Sequence, residues 1–131
     1  MTILVAYVPR PEGEAALEKG LEIAKRRDEH LVVVNASAGG GQTDLSAVDG
    51  DAAERVQVIL KNSGLNAEFR QLVRGKSAVD EIESLVESMR VSVLIIGLRK
   101  RSAVGKLILG SVAQDLLLSV SCPVLAVKAG S

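Results

Sequence analysis

Ile3-Leu4-Val5-Ala6-Tyr7-Val8 is an unbroken apolar run closed by Pro9 and Pro11, the pattern of a β-strand buried on both faces. A strand covered on both sides belongs in a parallel sheet flanked by helices. The residues that follow support this. Leu17, Leu21 and Ala24 recur at steps of four and three within Glu14 to Arg27, one stripe of a helix, and Leu31 to Val34 is a second buried strand. Asp51 to Asn62 carries Ala53, Val56 and Leu60 inward, with Gly64 at its stop. Ala67 to Val73 reads as a third strand, whose alternating Glu68 and Arg70 suit a sheet edge. Ser77 is placed to cap a helix whose Ile82, Leu85, Val86 and Met89 fall at i, i+3, i+4 and i+7. Val91 to Ile96 is the fourth strand, Ser111 to Val120 a helix with Ala113, Leu116, Leu117 and Val120 on one stripe, and Val124 to Val127 the fifth strand.

Strict alternation of strand and helix requires right-handed crossovers and a mostly parallel sheet. The expected architecture is an α/β three-layer sandwich with a five-stranded parallel sheet, order 3-2-1-4-5, formed by residues 1–131 as a single domain. In that order the winding reverses between the first and fourth strands, where a ligand crevice opens beyond their carboxyl ends. The segments facing it are Tyr7 to Gly13 and Gly97 to Ser111. Ala36 to Gly50, centred on Gly39-Gly40-Gly41, reads as a long loop inside the domain.

Composition narrows the function. The 131 residues are 47% hydrophobic but 2% aromatic, so aliphatic side chains fill the core. Sixteen basic and sixteen acidic side chains cancel, removing the global field that would draw the molecule to nucleic acid or an anionic membrane. Cys122 is the only cysteine, so an intramolecular disulfide is impossible and a reducing, cytoplasmic compartment fits. The opening apolar run lacks a basic flank and is too short to cross a bilayer.

Chemistry concentrates after the fourth strand. Gly97-Leu98-Arg99-Lys100-Arg101-Ser102-Ala103-Val104-Gly105-Lys106-Leu107-Ile108-Leu109-Gly110-Ser111 holds four cations and no acid. Gly110 permits close backbone approach, and the helix beginning at Ser111 and Val112 points its free amides and positive dipole end at the crevice. These are the parts of an anion site. Each also has a plainer reading. Ser111 followed by Gln114 has capping-box spacing, and a cationic run is commonly a solvated loop. Gly105-Lys106 is not a P-loop, since Arg101 and Leu107 stand where that motif needs glycine and a hydroxyl residue. His30 reads as a surface turn residue, Cys122 as a small packed side chain, and Tyr7 either as core packing or as a stacking partner for a base.

With Gly97, then Gly110-Ser111 after the apolar turn Leu107-Ile108-Leu109, and the ending Ser121-Cys122-Pro123-Val124-Leu125-Ala126-Val127, nearly the whole chain resembles the universal stress protein family. The resemblance implies regulatory binding of an adenine nucleotide, ATP with or without Mg, and no efficient turnover. Phosphates would lie against Gly97, Gly110, Ser111 and Val112, with Arg99 and Arg101 as charge partners, and Tyr7, Val8 and Pro9 would border the base. Two positions depart from the family pattern. Lys100 replaces its second glycine, where its side chain either meets a phosphate or fills the space glycine leaves open. Val8 stands where ATP-binding members carry an aspartate. The resemblance also implies a homodimer that pairs the strand Val124 to Val127, and it leaves a nucleotide-free, dimeric interaction module as the alternative function.

Other occupants of this architecture are excluded by residues. A phosphoacceptor domain needs acids after the first and third strands, where the chain has Val8-Pro9-Arg10 and Val73-Arg74-Gly75. A flavin carrier needs aromatics, of which Tyr7 and Phe69 are the whole supply. No Ser/His/acid set stands out, and the one histidine is distant in sequence from the basic loop.

Overall fold

The computed structural model describes residues 1–35, 50–71, 77–100, 107–108 and 110–129. Along them run β1 (Thr2–Tyr7), α1 (Pro11–Arg27), β2 (His30–Asn35), α2 (Gly50–Asn62), β3 (Ala67–Arg70), α3 (Ala78–Ser88), β4 (Val91–Lys100), β5 (Leu107–Ile108), α4 (Ser111–Ser119) and β6 (Val124–Lys128). The parallel sheet is ordered β3-β2-β1-β4-β6. This is the expected 3-2-1-4-5 arrangement, with β6 as the fifth parallel strand. The short β5 is an addition: it pairs antiparallel with the end of β4, Arg99 opposite Ile108 and Lys100 opposite Leu107.

Alternate residues of β1 serve two cores, as the strand period of two demands. Ile3, Val5 and Tyr7 pack with Ala16, Leu17 and Ala24 of α1 and Val56 and Leu60 of α2. Leu4 and Ala6 pack on the opposite face with Ile82 and Val86 of α3 and Leu116 of α4. Small residues let α1 lie close to the sheet. A Cβ on Gly20 would come within 2.5 Å of Val5 Cγ2, and one on Gly13 would collide with the Val8 carbonyl oxygen.

Several boundaries differ from the sequence reading, each for a local reason. Helix α1 opens at Pro11 rather than Glu14, because proline at the first helical position loses no hydrogen bond and has its φ preset. Glu12 and Glu14 then lie at the positive end of the helix dipole and Lys25, Arg26 and Arg27 at the negative end. Gly50, read as the end of a loop, is the first residue of α2, and the rest of that loop, 36–49, lies outside the described residues. So do Val73 of the third strand and Arg101. Ser77 caps α3 as expected, accepting from the Asp80 amide at 3.4 Å. His30 is not a turn residue: it opens β2, half-buried, with Nε2 3.5 Å from Glu68 Oε1.

Candidate functional site

Strands β1 and β4 pair from Thr2 to Val5, Val5 lying opposite Ile95. Beyond that point β1 runs on to Tyr7 and β4 to Lys100, while β4 keeps its partner on the other side as far as Leu98 opposite Lys128. The sheet therefore parts on one side only, at the point where its winding reverses, which is where ligands enter open α/β sheets.

The β4/β5 pairing folds the basic segment back on itself. The pairing ends with Arg99 opposite Ile108, and Gly110 follows two residues later in the chain, immediately before α4. Gly110, not Ser111, is the N-cap: its carbonyl accepts from the Gln114 amide at 2.9 Å, and Ser111 is the first residue of the helix. This corrects the capping role read for Ser111. With glycine as cap, no side chain bonds the first-turn amides, and that turn holds no acid. The amides of Ser111, Val112 and Ala113 thus have no intrahelical acceptor, at the positive end of the dipole. Ser111 is exposed and Val112 half-buried.

The two glycines are present for different reasons. A Cβ on Gly97 would come within 2.1 Å of the Glu12 carbonyl oxygen and 2.6 Å of its carbon. The fold itself demands glycine there, so that the first turn of α1 can rest on β4. Among the described residues, a Cβ on Gly110 would meet nothing within 4 Å. Its φ of −64° is open to any residue, so neither backbone conformation nor the packing of the described residues accounts for this glycine.

Of the other expected site residues, Arg99 is exposed at the end of β4, and Lys100 belongs to the β4/β5 ribbon. Val8 and Pro9 are half-buried in the turn to α1. Tyr7 is fully buried. Its ring meets Phe69 edge to face at 6.4 Å, and its hydroxyl donates to Glu14 Oε1 at 2.7 Å and accepts from Arg55 at 3.1 Å. Arg55 also pairs with Glu14. Burial raises the Tyr7 phenol above its usual range, with Arg55 opposing the shift. The ring is thus a core element whose hydroxyl ties α1 and α2 to the end of β1, and the base-stacking role is set aside.

Glu14, Arg55 and Asn35 border this end of the sheet without having been singled out in the sequence. Glu14 and Arg55 carry ordinary helix-surface patterns. Asn35 falls between the strand read at Leu31 to Val34 and the loop read from Ala36, yet it ends β2 opposite Tyr7, and its buried Oδ1 has no hydrogen-bond partner among the described residues.

Comparison with known proteins agrees with this architecture. The profile of the Universal stress protein family matches residues 1–128. A universal stress protein of Mycolicibacterium smegmatis is 46% identical over 126 residues, 96% of each chain. The solved structure of a universal stress protein from Archaeoglobus fulgidus superposes with a TM-score of 0.75 at 31% identity, covering 97% of both chains. A second one from that organism, in complex with dAMP, shares the fold at TM-score 0.67 and 24% identity, covering 97% of this chain and 96% of its own. The chain belongs to the universal stress protein family.

Proposed function

We propose that this universal stress protein is a single-domain regulatory module that binds an adenine nucleotide, ATP in the first instance, where β1 and β4 part. The observation that carries the reading is Gly110, a glycine that the described packing does not require, at the uncapped start of a helix whose first three amides lack helical acceptors. A phosphate placed there would satisfy those amides and meet the dipole. Arg99, and Lys100 and Arg101 beside it, would add charge. The dAMP complex of the A. fulgidus relative supports an adenine nucleotide as ligand class. A magnesium ion would ride on the phosphates, since among the described residues no three His, Cys, Asp or Glu side chains gather to hold a metal. Binding would alter the surface offered to partners rather than turn a substrate over. A reducing cytoplasm suits the free thiol of Cys122.

Calorimetric titration of the wild-type protein and of Gly110→Ser with MgATP tests this. The serine adds a capping hydroxyl that competes for the same amides, so the variant should match or exceed wild-type stability while losing about tenfold or more in ATP affinity. Equal affinity in the two proteins would refute the site, and absence of binding to the wild type would refute the function.

One observation favours the second reading, a nucleotide-free interaction module. Strand β6 is a sheet edge with Leu125 37% exposed, and α4 exposes Leu118 at 79%. An apolar edge of this kind takes up a partner strand, and a second copy of the chain, paired through Val124 to Val127, is the proposed partner. Dimerisation is compatible with both readings, so the ATP titration decides between them.

A further inference from the structure

We infer that Arg55 sets nucleotide affinity from outside the cleft, as a positioning residue on α2 that braces the turn from β1 into α1 through Glu14 and the Tyr7 hydroxyl. The inference rests on the nucleotide reading above and adds to it a residue that acts without touching the ligand.

The turn from β1 into α1 borders the place where the sheet parts. Strand β1 pairs with β4 as far as Val5 and with β2 as far as Tyr7, which lies opposite Asn35. Val8, Pro9 and Arg10 then follow outside any strand, and Pro9 and Pro11 bring no amide hydrogen to hold them. Two close backbone approaches seat the turn, Glu12 on Gly97 of β4 and Gly13 on Val8. Glu14 is the next residue. Its carboxylate accepts from the Tyr7 hydroxyl at 2.7 Å and pairs with Arg55, which also donates to that hydroxyl at 3.1 Å. The three side chains close a triangle whose corners are the end of β1, the start of α1 and α2. The α2 corner is held firmly, because Val56 and Leu60 anchor that helix in the core. Removing the Arg55 guanidinium takes from Glu14 a cation and leaves the Tyr7 hydroxyl one partner in place of two. The turn then spends part of its time away from the geometry that a nucleotide needs, and apparent affinity falls with the fraction of molecules displaced.

The Arg55 side chain is 51% exposed, so its replacement leaves the core packed, and thermal melts without nucleotide check that each variant folds. In calorimetric titration with MgATP, Arg55→Met should bind about fivefold more weakly than wild type. Arg55→Lys keeps a cation for Glu14 and should return to within about twofold of wild type. Tyr7→Phe removes the shared hydroxyl, and the Tyr7→Phe/Arg55→Met protein should bind within about twofold of the weaker single variant, since both changes break one triangle. An Arg55→Met protein that binds MgATP within about twofold of wild type would overturn the inference. So would a lysine variant as weak as the methionine one, or single losses that multiply in the double variant. Should Arg55→Met fail to fold, Tyr7→Phe decides alone, and wild-type affinity in that variant would overturn the inference. Each of these results leaves nucleotide binding standing. A wild-type protein that does not bind MgATP would bring down the proposed function and this inference together.

Discussion

Replacing Gly97 with alanine separates a glycine kept for folding from one kept for ligand. The new Cβ would lie 2.1 Å from the Glu12 carbonyl oxygen, where ordinary contact begins near 3.4 Å. Helix α1 and strand β4 would have to move apart by roughly 1 Å. The obstructing atoms are main chain, so no rotamer change relieves them, and the cost belongs at the upper end of the range for overpacking, about 3 kcal/mol. Alanine returns about 0.5–1 kcal/mol through the lower conformational entropy of its unfolded chain. A net loss of about 2 kcal/mol should lower Tm by roughly 8 °C in a domain of this size. Thermal melts followed by far-ultraviolet circular dichroism, without nucleotide, measure it. Gly50→Ala is the control: among the described residues its Cβ would meet nothing within 4 Å, and at the first residue of α2 it should be neutral or stabilising by up to about 1 kcal/mol. A Gly97→Ala protein melting within about 2 °C of wild type would refute the packing account and leave ligand contact as the reason for glycine there.

Three further outcomes follow from the same coordinates. Tyr7→Phe keeps the ring contact with Phe69 but removes the hydroxyl between Glu14 and Arg55, and urea denaturation at pH 7 should register a loss of about 1 kcal/mol. Because burial raises the folded-state phenol above the ordinary tyrosine value of about 10, wild-type stability should hold up to that pH and fall above it, a decline the phenylalanine variant should lack. Leu125→Lys places a charge on the exposed edge strand, so light scattering at micromolar concentration should give a monomeric mass for the variant and a dimeric one for wild type. Burial holds the Cys122 thiol above its usual range, and iodoacetamide at pH 7.5 should label it more slowly in the folded protein than in urea.

Much of the architecture was legible in the sequence because aliphatic runs and helical stripes are long-range signals that survive local exceptions. Ile3 to Val8 and Val91 to Ile96 could be placed as central strands by continuity alone. The ends of elements were harder. Strand β4 continues four residues past the apolar run, through Gly97, Leu98, Arg99 and Lys100, because β6 and β5 supply backbone partners there. Pairing of this kind leaves no mark in hydropathy, and a two-residue strand such as β5 has no period to detect. Pro11 was read only as a breaker, although it also starts α1. At α4, the serine of the apparent capping box proved to be one residue inside the helix, since a spacing motif cannot tell its own first residue from a glycine just before it. Within the candidate site, Gly97, Gly110 and the start of α4 could be found from spacing. Asn35 could not: one polar residue after Leu31 to Val34 is indistinguishable in sequence from the start of a turn, and only its burial without a partner among the described residues marks it.

The way α1 is seated fixes more than the core. Gly13 lets the helix start press against the exit of β1, and Gly97 lets the same turn rest on β4, so a single backbone segment grips both strands where they diverge. The separation between those strands is consequently established as the chain folds and does not wait for a ligand to wedge them apart. Relatives built on the same seating would share one cleft width, and their differences in ligand preference would have to be written in the side chains around it, such as that at position 8.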